Sequence, residues 1–145
     1  MIDNWFLGFF EADGCFTYDR SGYCRPVMQI LQQDDMGCVP PANRLVSILF
    51  AGDTALVKPK TLRHNNSEYE PRWKSAARRK DSLLRAVWFF DQHPLMSARK
   101  QRDYEIWRKM ALCYIAHGAS GKEQLLALAD ELSSDGRTKN KGVAP

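Results

Sequence analysis

The sequence predicts one α+β domain, ordered α-ββ-α-ββ-α with further helix behind it, over 145 residues. Three observations carry this. Apolar residues at helical spacing occupy the first dozen positions, two pairs of strand-like stretches each double back at a polar turn, and the second half repeats the helical period at length. With 44% hydrophobic residues the chain can build one core and is short for two. We take 1–132 as a single domain and 133–145, polar and lysine-bearing, as a loose tail.

The first element covers residues 3–12, where Trp5, Phe6, Phe9 and Phe10 follow an i, i+3/i+4 pattern. Asp3 is a candidate N-cap and Gly14 a stop. Stretches 15–20 and 23–32, joined at Ser21-Gly22, read as a β-hairpin. Pro40-Pro41 opens a second helix at 42–51, with Gly52 as its terminator. Strands at 55–62 and 69–76 flank the polar loop His64-Asn65-Asn66-Ser67. A third helix spans 80–92 and stops before Pro94. Ser97 opens a longer amphipathic helix to 117, bearing Tyr104, Ile106, Trp107, Met110, Ala111 and Tyr114. The spacing Ser120 to Glu123 reads as a capping box for a last helix through 132.

No window approaches the roughly 18 apolar residues of a membrane span, and the N-terminus lacks a basic start followed by a small-residue cleavage site. The expectation is a soluble, intracellular protein with no membrane partner. Cys15, Cys24, Cys38 and Cys113 form no CxxC pair and stand apart from His64, His93 and His117. This argues for small apolar cysteines in a reducing compartment rather than zinc or disulfides. The net charge is +4, but Lys58, Lys60, Arg63, Arg72, Lys74, Arg78, Arg79 and Lys80 face only Glu68 and Glu70 in one short segment. That excess fits either a polyanion footprint or a solvated basic face.

The stretch WFLGFFEADGCFTY poses the functional question, because an apolar run ends in two carboxylates, Glu11 and Asp13, just where the period changes. Residues Phe6 to Gly14 resemble the signature nonapeptide of the LAGLIDADG homing endonucleases, DNA-cleaving proteins encoded by introns or inteins. Gly8, Phe9, Glu11, Ala12, Asp13 and Gly14 fit the pattern closely. The order α-ββ-α-ββ-α is similar to that family's half-unit. So is the later succession Arg72-Trp73-Lys74-Ser75, Phe89-Phe90, Pro94-Leu95 and Arg99-Lys100-Gln101-Arg102-Asp103-Tyr104, so that the likeness runs over roughly residues 2 to 110.

The resemblance implies a curved antiparallel sheet shaped as a DNA-binding saddle, with the first helix at a subunit junction. Gly8 and Ala12, four apart, let two helix backbones approach closely beside Phe9. A chain with one motif completes that contact with a second copy, which implies a homodimer. The two Asp13 carboxylates then lie side by side, where like charges repel unless cations sit between them. Mg²⁺ suits oxygen-only ligands, and the resemblance assigns two or more shared divalent ions to Asp13 and the carbonyl of Ala12. Glu11 points to another helix side and is expected to hold a helix end or a partner chain.

The implied reaction is hydrolysis of phosphodiesters, one strand per subunit, in a long pseudo-palindromic site. Inward Met28 and Ile30 place Tyr23, Arg25 and Gln29 outward; inward Val57 and Trp73 leave Lys58, Lys60, Arg72 and Lys74 to face DNA. Gln32 is either an ordinary strand-end glutamine or a residue that orders active-site water, and Lys100 either a surface lysine or a cation at the scissile phosphate. The acidic run Gln33-Asp34-Asp35-Met36 departs from family members that carry a basic residue near the cleaved phosphate. Two other readings stand beside the endonuclease. One is an intron-splicing maturase that binds RNA, and the other a small helical interaction module. For the first two, the expected compartment is an organelle (chloroplast or mitochondrion) or the bacterial cytoplasm.

Overall fold

The computed structural model describes residues 2–20, 22–34, 37–58 and 71–134. Helix α1 (Ile2–Asp13) runs into β1 (Gly14–Asp19) without a loop, and β2 (Arg25–Gln33) returns antiparallel to it. Next come α2 (Pro41–Phe50), β3 (Asp53–Val57), β4 (Arg72–Ala77), α3 (Lys80–Gln92), α4 (Ala98–His117), a 3-10 turn and α5 (Lys122–Ser133). The strand order is β1-β2-β4-β3, so two hairpins join through β2 and β4 into one antiparallel sheet. The α+β order matches the sequence-based expectation. The outer parts of the second expected hairpin, Lys60 and the loop His64 to Ser67 among them, lie outside the described residues, as does the tail from 135 onward.

One face of the sheet is covered by helices. Pairing aligns Phe16 with Met28 and Met28 with Ala77, and Ile30 with Ser75; all five are buried. Above them Phe6 and Phe10 of α1, Phe50 of α2, Phe89 and Phe90 of α3 and Trp107 of α4 form a contiguous aromatic core, in which Phe10 and Phe16 have centroids 4.9 Å apart. The Trp107 indole donates to the Val27 carbonyl at 3.1 Å, so its polar edge is satisfied. Buried Asn43 donates to the Ser75 hydroxyl at 2.9 Å and reaches the carbonyls of Ile30 and Trp73, tying α2 to the two central strands.

Helices α3 and α4 are locked together by Asp91. Its carboxylate lies 2.7 Å from the Tyr104 hydroxyl and accepts two N–H groups of Arg108 at 2.9 Å. The Arg108 guanidinium holds the Asp91 carboxyl below its usual range, while burial pushes the Tyr104 phenol up.

Three helix-end expectations are corrected. Asp3 is not an N-cap: α1 has already begun at Ile2, and the Asp3 carboxylate sits in the first turn, 3.6 Å from His93 Nε2. Helix α2 stops at Phe50, and Ala51 rather than Gly52 takes the left-handed position, at φ 55°. Gly52 is needed for space, since a Cβ there would lie 2.6 Å from the Ala76 carbonyl oxygen. Ser120 does not cap α5. Its hydroxyl donates back to the His117 carbonyl at 2.7 Å, and the 3-10 turn delays the helix to Lys122.

Candidate functional site

The foot of α1 gathers side chains from three elements. Asp13 is the last residue of the helix and exposed, and its Oδ2 accepts from Gln32 Nε2 at 2.9 Å. Lys100, in the first turn of α4, donates from Nζ to the Gly14 carbonyl at 2.7 Å and passes 5.7 Å from the Phe10 ring centroid. Asp13, Gln32 and Lys100, separated by up to 87 positions, thus converge on one corner. The junction permits this because α1 turns straight into β1. Gly14 makes the turn possible, since a Cβ on it would meet Phe10 ring carbons at 2.0–2.4 Å.

The corner offers an exposed carboxylate at the end of a helix whose last carbonyls, including that of exposed Ala12, have no further turn to bond. These are hard oxygen donors of the kind Mg²⁺ or Ca²⁺ takes, so the donor chemistry fits a divalent cation. Among the described residues no three metal-ligating side chains come together. Glu11 is turned away: its carboxylate accepts the backbone N–H groups of Met96 and Ser97 at the start of α4.

The outer face of α1 is bare. Trp5, Gly8 and Ala12 are exposed, Phe9 is half-buried with its ring 5.3 Å from that of Trp5, and a Cβ on Gly8 would meet nothing within 4 Å. Gly8 and Ala12 therefore form a smooth strip at i, i+4 that leads down to Asp13.

On the uncovered face of the sheet, register places Gln33 beside Arg72 and Val57, Leu31 beside Lys74 and Ala55, and Gln29 beside Cys15. Here the sequence reading needs correction. Val57 is not inward. It is 45% exposed and shares the open face with Arg72, while Leu56 is the residue opposite Trp73. Lys58 lies just past the end of the strand, exposed. Tyr23 is not outward either, since its ring packs against that of Tyr114 of α4 at 6.1 Å. Arg25 is engaged by its cross-strand neighbour Asp19 at 3.1 Å, which raises the guanidinium pKa. Gln33 was missed. Its signal was its place one residue beyond Gln32, on the opposite side of a strand.

The acidic run has a structural use. Asp34 Oδ1 accepts from the Trp73 indole and from the Gly37 N–H, both at 3.0 Å, and so pins the segment after β2 to β4.

Several solved structures share this fold. The homing endonuclease I-TnaI superposes with a TM-score of 0.58 at 22% identity, over 95% of this chain and 91% of its own. The LAGLIDADG homing endonuclease I-GzeII, in complex with its DNA target, gives 0.63 at 17% identity over 97% of this chain. The fold is that of the LAGLIDADG homing endonucleases. I-SmaMI, bound to an uncleaved DNA target in the presence of calcium ions, also has it, with a TM-score of 0.63 at 21% identity over 92% of this chain. This chain spans 48% of I-GzeII and 45% of I-SmaMI, so it supplies about half of what those LAGLIDADG chains contain. No protein-family model and no curated protein matches the sequence. Among the described residues no helix is long and apolar enough to cross a membrane.

Proposed function

We propose that two copies of this chain pair through the outer faces of α1 to form a site-specific, divalent-metal-dependent endonuclease that cuts both strands of duplex DNA. The observation that carries this reading is the corner where exposed Asp13, Gln32 and Lys100 meet at the end of the smooth Gly8–Ala12 strip. Closely packed α1 helices would put the two Asp13 side chains together. Asp13 and the Ala12 carbonyl would then hold Mg²⁺, which supplies charge neutralisation at the phosphate and a more acidic water.

The chain's own groups divide the remaining work. Gln32 orients the Asp13 carboxylate through the 2.9 Å bond and keeps a hydrogen-bonding amide beside any water that enters. Lys100 exchanges the Gly14 carbonyl for a phosphate oxygen and stabilises the charge that develops there. Gln29, Arg72 and Lys74, with Gln33, address the major groove from the open face, and exposed Lys58, just past β3, adds a cation for the phosphates. Two such faces related by a twofold axis suit a long, nearly palindromic site. The compartment that goes with this substrate is intracellular, an organelle or the bacterial cytoplasm.

The experiment is cleavage of a randomised duplex library in Mg²⁺ and in Ca²⁺, with Asp13→Asn alongside. Expected are double-strand breaks in Mg²⁺ that fall by at least about 10³-fold in Asp13→Asn, while binding in Ca²⁺ persists. Binding to structured intron RNA without cutting in any metal would favour the maturase reading and sink this one.

A further inference from the structure

Two links join the junction of α1 and β1 to the start of α4, and they close a ring. From the α1 side, the Glu11 carboxylate accepts the N–H groups of Met96 and Ser97. From the α4 side, Lys100 Nζ reaches back to the Gly14 carbonyl at 2.7 Å. Between the two ends lies a single capped turn: Ser97 is the N-cap of α4, and its Oγ accepts the Lys100 N–H at 3.0 Å. The ring leaves α1 at residue 11 and returns at residue 14, enclosing the position of Asp13.

We infer that Glu11 is a positioning residue: it fixes the first turn of α4 against the end of α1 and so holds the Lys100 ammonium at the Asp13 corner. Three features support this. A carboxylate at a helix N-terminus meets unsatisfied N–H groups and the positive end of the helix dipole, so the bond has a defined direction. Lys100 carries four methylene groups, and a long flexible side chain is held in one geometry only if its backbone origin is fixed. Its Gly14 bond sets where the ammonium waits, while Glu11 sets where the helix that carries it begins. Leu95, which precedes these residues, is itself held, since its N–H donates to the Gln101 side chain at 3.0 Å and its own side chain is buried. Met96, by contrast, is 86% exposed, and the Glu11 carboxylate is what its backbone meets.

The catalytic consequence rests on the nuclease reading; the tether does not. Two measurements separate them. The first is acetylation of lysine amines followed by mass spectrometry, with exposed Lys109 as the internal standard. Lys100 labelling relative to Lys109 is expected to rise several-fold in Glu11→Ala and to stay near wild type in Glu11→Gln, whose amide oxygen still accepts the two N–H groups. The second is the single-turnover cleavage rate with DNA affinity measured in Ca²⁺. Glu11→Ala is expected to slow cleavage about 10- to 100-fold with affinity within about twofold, and Glu11→Gln to recover most of the rate. Combined with Lys100→Met, Glu11→Ala is expected to cost little more than Lys100→Met alone.

Labelling that responds as described in a chain that cuts no DNA would uphold the tether and overturn the nuclease reading. Unchanged Lys100 labelling in Glu11→Ala, or multiplicative loss of rate in the double variant, would overturn the positioning role of Glu11.

Discussion

Gly8 and Gly14 belong to the same nine residues, and the fold treats them in opposite ways. A methyl group on Gly8 would meet nothing within 4 Å, whereas one on Gly14 would fall among the ring carbons of Phe10. The difference follows the two sides of α1. Its inner side, Phe6 and Phe10, is fully buried in the aromatic core, and Gly14 lets the chain turn beneath that side. Its outer side, Trp5, Gly8 and Ala12, is exposed and ends at Asp13. One motif therefore carries two kinds of constraint: the inner residues and Gly14 serve this chain's fold, while Gly8 has no steric role among the described residues and is left for the proposed pairing of two copies to account for.

The most forceful way to test the inner side is Phe10→Ala, which opens a cavity among Phe6, Phe16 and Phe90. It is expected to cost about 3–5 kcal/mol, read as a lower midpoint in urea. Gly14→Ala sharpens the comparison. Phe10 must move to admit the methyl group, for an expected loss of about 1–3 kcal/mol. Gly8→Ala should do the reverse in the isolated subunit, stabilising α1 by about 0.5–1 kcal/mol because a mid-helix glycine is replaced in open space. A bulkier change at the same place, Gly8→Leu, should leave circular dichroism intact and shift sedimentation from dimer to monomer.

The smallest expected effect lies away from α1, at Asp91, and serves as a control. Its carboxyl pKa is lowered in the folded chain, chiefly by Arg108. The stabilisation is therefore present above the ordinary carboxylate value of about 4 and is lost as pH falls through the folded value. Arg108→Ala should flatten stability against pH in that acid window and leave dimerisation untouched. With side-chain exposures of 41% and 38% for the pair, solvent screening keeps the change small.

Much of this was legible because the sequence signals were local. Helical spacing placed α1 and α3, and the Ser97 cap marked the start of α4. The motif singled out Asp13, the wider resemblance offered roles for Gln32 and Lys100 beside ordinary surface readings, and the fold brings the three side chains to one corner. What failed depended on distant partners. Val57 and Leu56 are equally apolar, so only the pairing of Leu56 with Trp73 decides which faces inward. Tyr23 looked like a strand residue, yet Tyr114, 91 positions away, draws its ring to α4. Asp34 looked out of place beside a phosphate site until the Trp73 indole supplied its partner. Ala51 takes the left-handed position, and Gly52 serves instead the close passage of β4.

The pairing of α1 helices and the sharing of Asp13 can be tested together in mixed dimers. Wild-type and Asp13→Asn chains carrying different tags would be co-expressed, isolated as heterodimers and assayed on a cleavable duplex. If the two carboxylates act jointly, heterodimers should bind DNA as tightly as wild type and make no double-strand breaks. Double-strand cutting at the wild-type rate would contradict a shared site and show that one chain's Asp13 suffices.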